Sequence, residues 1–353
     1  MGPTILIHEW VTGGGLAGLP LEPSWAVEGA AMRRALARDF ASIASLPARV
    51  LVTLDDRFTD DPGAWDLLRI DPHTGAKRIE LAMRSADYVL VIAPETSGIL
   101  KEWAKQLERH GVRSLGSSPD AIAIATDKLH FATHLEARGV STPKTQRADF
   151  RGGLPENFAY PAVLKPADGA GSVDTYRVES PGSFPASIGD LSREFLLQEF
   201  VEGDALSASF LVDRGGLAHK LAIGRQNMVI REGRFEYLGG EIPYGREVEE
   251  QPLLDAIRSI PGLLGFVGVD FIANRRTGET TVIEINPRAT TSCVGLCQLL
   301  TPGRLAEAWL AACLDNSLEE SDLISRLAEE IGKCGTISFG ANGWIGSRSG
   351  EVP

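Results

Sequence analysis

Apolar residues recur along this chain in changing rhythms, and each rhythm predicts a different kind of element. In the first third, short apolar runs of strand length occur at Thr4 to Trp10, Arg49 to Leu54, Asp87 to Ala93 and Val112 to Leu115. Between them, Glu28 to Ala41 and Gly75 to Ser85 read as helices, and Ile99, Leu100, Trp103 and Leu107 mark one face of another. Strands separated by helices predict a parallel sheet covered by helices. Ligands of such sheets sit beyond the carboxyl ends of the strands. The loops after Trp10, with Gly13-Gly14-Gly15, and after Ala93 are therefore the first places to look for substrate contacts.

The rhythm shifts near Ser118-Pro119. Asp120 to Gly139 reads as one helical stretch stopped by Gly139, with Pro143 beyond it. A small α+β segment follows, with Ala162 to Lys165, a glycine-rich loop, Thr175 to Val178 and a helix near Pro185 to Ser192. From Leu196 onward strands dominate: Leu196 to Phe200, Leu206 to Val212, Leu217 to Ile223, Phe235 to Tyr237, Val267 to Asn274 and Thr280 to Ile285. Turn signals such as Asp213-Arg214-Gly215-Gly216 separate them. Helices are expected at Leu305 to Leu314 and Ser321 to Ile331, then a strand at Thr336 to Phe339. The expected division is a pre-domain over 1–118, a lid over 119–195 and a C-terminal domain over 196–353, α/β and α+β in class.

Length and composition narrow the partners. A chain of 353 residues exceeds one ordinary core. No apolar run reaches the ~18 residues needed to cross a bilayer, and no basic region precedes Thr4-Ile5-Leu6-Ile7, so no membrane partner, no signal peptide and a cytoplasmic home are expected. A net charge of −12 disfavours nucleic acid. Cys293, Cys297, Cys313 and Cys334 form no CxxC pair and read as reduced thiols.

The chemistry concentrates in three segments. Glu284 and Asn286 lie two apart in an apolar run, so as a strand they share a face. Asp270, in the preceding strand signal, can converge on the same spot. Two carboxylates and an amide oxygen are hard ligands that suit Mg²⁺, with Mn²⁺ as an alternative, when phosphates and water complete the shell. Arg288, just beyond, is placed to meet a phosphoryl oxygen or a tetrahedral oxyanion. Read as a plain surface hairpin, the segment would put an acid in an apolar strand without a partner. Second, Lys165 ends an apolar strand and precedes Asp168-Gly169-Ala170-Gly171-Ser172. Its ammonium can lean over phosphates, and Gly169, Gly171 and Ser172 let backbone N–H groups approach them. Alone, the loop reads equally as a hairpin turn. Third, Gln198-Glu199-Phe200-Val201-Glu202-Gly203-Asp204 can read adenine through a carbonyl and the next N–H. Gln198 or Glu199 would flank the base, and Glu202 or Asp204 would hold the ribose.

In this order the three segments resemble the ATP-grasp superfamily. The resemblance covers roughly Ser118 to Arg288 and implies the ATP-grasp fold behind a Rossmann-like pre-domain. It implies ATP and Mg²⁺, with Asp127-Lys128 matching the pair at the lid entry, Lys128 and Lys165 reaching nucleotide phosphate, and Glu199, Phe200 and Val201 in the adenine linker. The implied activity is an ADP-forming carboxylate–amine ligase: a carboxylate takes the γ-phosphate, and an amine displaces phosphate from the acylphosphate. Two departures stand out: a lid loop with few glycines, and Asp204 immediately after Gly203. Lys220 and Arg225 are candidates for the γ-phosphate cation, Arg225 the preferred one. Ile5 to Gly15, Ala93-Pro94-Glu95 and Gly239-Gly240 with Pro243 resemble ligases of methanofuran-type one-carbon coenzyme biosynthesis. That implies L-glutamate as the acid and a phenolic amine such as tyramine as acceptor. Dimers are common among such ligases, which leaves a homodimer open. Two alternatives stay open: a carboxylase or carbamoyl-type enzyme working through carboxyphosphate, and an ATP-binding sensor without turnover.

Overall fold

The computed structural model describes residues 2–59, 63–148, 153–169, 173–185, 188, 193–314, 322–340 and 344–347. The N-terminal unit contains β1 (Thr4–Glu9), α1 (Pro23–Ala41), β2 (Arg49–Asp55), β3 (Asp66–Ile70), α2 (Gly75–Ser85), β4 (Tyr88–Ile92), α3 (Ile99–Arg109) and β5 (Arg113–Ser114). Its strands are all parallel, in the order β3-β2-β1-β4-β5. Alternation along β1 sorts the helices. Ile5 and Ile7 pack with Met32, Leu36 and Phe40 of α1, while Leu6 packs with Ile79 and Met83 of α2 and Leu107 of α3. Strand β3 carries no clean apolar alternation and was not expected from the sequence.

The single helix expected over Asp120 to Gly139 is two: α4 (Pro119–Thr126) and α5 (Lys128–Glu136). Asp127 breaks it. Its backbone is extended (φ −80°, ψ 96°), and its carboxylate accepts the His130 N–H at 2.9 Å. An aspartate inside a helical run competes for backbone donors and acts as an N-cap.

The lid strands are β6 (Thr145–Ala148), β7 (Ala162–Pro166), β8 (Tyr176–Val178) and β9 (Phe195–Glu199). Strand β9 pairs with β6 and β7. It therefore joins the lid sheet, whereas the expected boundary at 195/196 cut through it. The reason is packing: Phe195 and Leu197 bury against Leu164, Tyr176 and Val178 in a small separate core. The helix expected at Pro185 to Ser192 falls largely outside the described residues.

The C-terminal unit holds β10 (Asp204–Val212), β11 (Ala218–Arg231), β12 (Arg234–Ile242), α6 (Gln251–Arg258), β13 (Gly265–Ala273), β14 (Thr280–Asn286), α7 (Ser292–Leu299), α8 (Arg304–Leu314), α9 (Leu323–Lys333), β15 (Ile337–Phe339) and β16 (Ile345–Ser347). Pairing runs β14-β13-β10-β11-β12-β8-β7-β9-β6, with β15 on β12 and β16 on β15. One face of β10, Leu206, Ala208 and Phe210, packs on α4, α5 and α6. Leu211, on the other face, packs with residues of α7, α8 and α9.

Candidate active site

Strand pairing builds the acidic end. Asp270 on β13 stands opposite Glu284 on β14, and Gly268 stands opposite Asn286. Asn286 Nδ2 donates to Asp270 Oδ2 at 3.1 Å. Ser207 of β10, also opposite Asp270, and Gln226 of β11 add side-chain hydrogen bonds to the same carboxylate. Neither was singled out in the sequence, because only the register of β10 and β11 brings them there. Burial and then the Glu284 charge push Asp270 up from the ordinary carboxylate range. Burial opposes the charge on Glu284 too, but Lys128 and Lys165 outweigh it and hold Glu284 down.

Both lysines reach this end. Lys128, in the first turn of α5, donates to Glu284 Oε2 at 2.6 Å. Lys165 is 7% exposed at the end of β7, and its Nζ donates to Gln198 Oε1 at 2.8 Å. Burial, with the Lys128 charge adding to it, pushes Lys165 down to about 8. Gln198 Nε2 in turn donates to Thr145 Oγ1 at 2.9 Å, so the Gln198 amide orients Lys165 rather than hanging free. In the linker, Glu199 N–H goes to Lys144 O and Phe200 N–H to Pro161 O. The Val201 N–H makes no hydrogen bond among the described residues. Gly169 is described and leaves Cβ-sized space beside Pro166; Gly171 and Ser172 lie outside the described residues.

Arg288 follows β14 and grips Glu95 side-on, Nε to Oε1 at 2.7 Å and Nη2 to Oε2 at 2.8 Å. Glu95 belongs to the loop after β4, at the carboxyl end of the first sheet, where that sheet's ligands were expected.

Two expectations fail on geometry. Arg225 pairs with Leu206, one step out of phase with Ser207 and Asp270, so it lies on the opposite face of the sheet. There it sits 3.6 Å from Asp204 and over the Tyr244 ring. Asp204 is 5% exposed on that same face and already accepts from Tyr244 Oη at 2.7 Å and Arg275 Nε at 2.9 Å. Neither the γ-phosphate role for Arg225 nor the ribose role for Asp204 fits. Lys220 is taken by Glu250 of the α6 end.

A divalent cation fits the acidic end. Asp270 and Glu284 are adjacent, partly buried carboxylates whose mutual repulsion a dication relieves, and Asn286 supplies a neutral oxygen. A separate cavity of about 460 Å³ lies between α1 and α7, lined by Ala30, Arg34, Val294 and Cys297 among others, and none of the residues above lines it.

Residues 125–292 match the ATP-grasp domain, and residues 48–122 match the pre ATP-grasp 3 domain. A tyramine–L-glutamate ligase from Methanocaldococcus fervens is 34% identical over 249 residues, covering 68% of this chain and 73% of that one. The chain belongs to the ATP-grasp family. It is an ATP-dependent carboxylate–amine ligase, and ATP-grasp ligases use ATP with a divalent metal. The ATP-grasp fold recurs in an L-amino acid ligase from Bacillus licheniformis, with a TM-score of 0.66 at 16% identity over 95% of this chain and 79% of that one. It recurs too in N5-carboxyaminoimidazole ribonucleotide synthetase from Thermotoga maritima, with a TM-score of 0.60 at 19% identity over 89% and 76%. No helix among the described residues is long and apolar enough to cross a membrane.

Proposed function

We propose that this ligase joins a carboxyl group of L-glutamate to a phenolic amine, tyramine or a close relative, in the cytoplasm. The 34% identity to a tyramine–L-glutamate ligase over most of both chains carries this reading. The geometry of the site supports the following residue roles. Lys128 and Lys165 neutralise nucleotide phosphates from α5 and the lid. The Val201 N–H donates to a ring nitrogen of adenine, and a neighbouring carbonyl accepts from its amine. Asp270, Glu284 and Asn286 would hold Mg²⁺, which would supply positive charge beside the transferring phosphoryl group. Arg288 meets the transferred phosphoryl oxygens and then the oxygen of the tetrahedral carbon. The glutamate carboxylate forms a bond to the γ-phosphorus as ADP leaves. The amine then attacks the acyl carbon, and phosphate leaves. The domain division is a pre-domain over 1–118, a lid from 119 through β9, and the C-terminal domain beyond.

The test is phosphate release across a panel of acids and amines that includes L-glutamate and tyramine. Release only when both are present supports the reading. Tight ATP binding with no release for any pair would sink it.

A further inference from the structure

We propose that Glu95 is a positioning residue for the ligation, aiming Arg288 from across the junction of the two sheets. The inference rests on the reading that Arg288 meets the reacting oxygens. Both side chains are largely buried, 16% exposed for Arg288 and 12% for Glu95. A guanidinium has five N–H groups. Glu95 takes one on Nε and one on Nη2, and the Ala289 carbonyl takes one on Nη1 at 3.0 Å. One N–H on each Nη is left to meet a ligand. The bidentate grip on one edge fixes the plane of the fork and so the direction of those two donors.

Charge supplies the second argument. Arg288 feels the carboxylates of Glu28 and Glu284 as well as Glu95. Without Glu95, the remaining pulls on the guanidinium come from Glu28 and then Glu284, and no bidentate partner would fix the plane of its fork. Glu95 itself is held. Gly98 N–H returns to the Glu95 carbonyl at 3.0 Å, and Leu100 N–H to the Pro94 carbonyl at 3.1 Å. Ser97, left-handed at φ 56°, points its N–H at the Asp168 carboxylate of the lid, 2.9 and 3.1 Å from its two oxygens. The loop from Pro94 to Gly98 thus touches the lid, the first sheet and Arg288 at once.

A double-mutant cycle tests this, read with whichever acid–amine pair the wild-type enzyme turns over fastest. Glu95→Gln should lower kcat about 10- to 100-fold, the range for losing a partner that orients a working group, with KM for ATP unchanged within about twofold. In an Arg288→Ala background the same substitution should change kcat less than about twofold, because its effect runs through Arg288. Additive losses, an unchanged kcat in Glu95→Gln, or a loss carried by KM for ATP would each overturn the proposal. If Glu95→Gln does not fold, Glu95→Asp carries the test: it keeps the charge, shortens the reach, and must lose kcat and not KM. A live wild-type enzyme with an additive cycle overturns this inference alone. A wild-type enzyme silent with every pair overturns the proposed ligation and this with it.

Discussion

Lys128 donates to Oε2 of Glu284 at 2.6 Å, tying the start of α5 to the end of β14 across 156 positions of sequence. The candidate phosphate cation and a candidate metal ligand thus neutralise each other in the free protein. Each is released when its own partner arrives, so nucleotide and metal should bind cooperatively.

Glu284→Gln breaks that pair without emptying the space. Turnover should fall by at least about 100-fold, as expected for loss of a metal ligand. Metal-free ATP should bind the variant at least as tightly as wild type, since Lys128 is free. Titration calorimetry with ATP in the presence of a chelator reads the second effect. Wild-type turnover in the variant would refute the metal assignment.

Lys165 gives a pH signature. Burial leaves it pushed down from 10.5 to about 8. Between those values the unfolded chain holds a proton that the folded chain lacks, so this lysine costs stability fully below pH 8, and the cost fades toward 10.5. Lys165→Met should therefore stabilise the nucleotide-free protein at neutral pH by up to about 3 kcal/mol while weakening ATP binding. In the wild type, phosphate beside Lys165 restores its charge, so ATP binding near pH 8 should take up a proton. Calorimetry in buffers of different ionisation enthalpy measures that uptake, which Lys165→Met should abolish.

Arg225 and Arg288 should behave oppositely. Arg225→Ala, on the far face, should leave kcat and KM for ATP within about threefold. Arg288→Lys should cost about 100-fold or more in kcat, because an ammonium cannot reproduce the planar fork. Asp204→Ala should cost about 1 kcal/mol of stability by removing the acceptor of the Tyr244 hydroxyl, without raising KM for ATP. A large rise in KM for ATP in Asp204→Ala would restore it as a ribose ligand.

Asp127 tests the broken helix. Asp127→Ala removes the cap of α5 and should cost about 1 kcal/mol, with a raised KM for ATP because Lys128 sits in the first turn. Asp127→Asn, which can still accept from His130 N–H, should keep most of both. Equal melting temperatures for wild type and Asp127→Ala would dismiss the cap.

What the sequence determined by itself is local. The spacing of Glu284 and Asn286 settles that they share a face, since side chains alternate along any strand. The apolar run before Lys165, and the helical spacing of Ile99 to Leu107, likewise report short-range geometry. What only the tertiary structure decided is which faces and loops meet. Arg225 has the right charge on the right strand, but its face depends on a register with β10 set by distant packing. Strand β9 reads like the start of the C-terminal unit, yet its apolar side chains find their core in the lid. The grip of Glu95 on Arg288 spans 193 positions and has no local signal at all. Alternation fixes a side chain relative to its own strand. Only the packing of the two sheets fixes it relative to a partner far away in the chain.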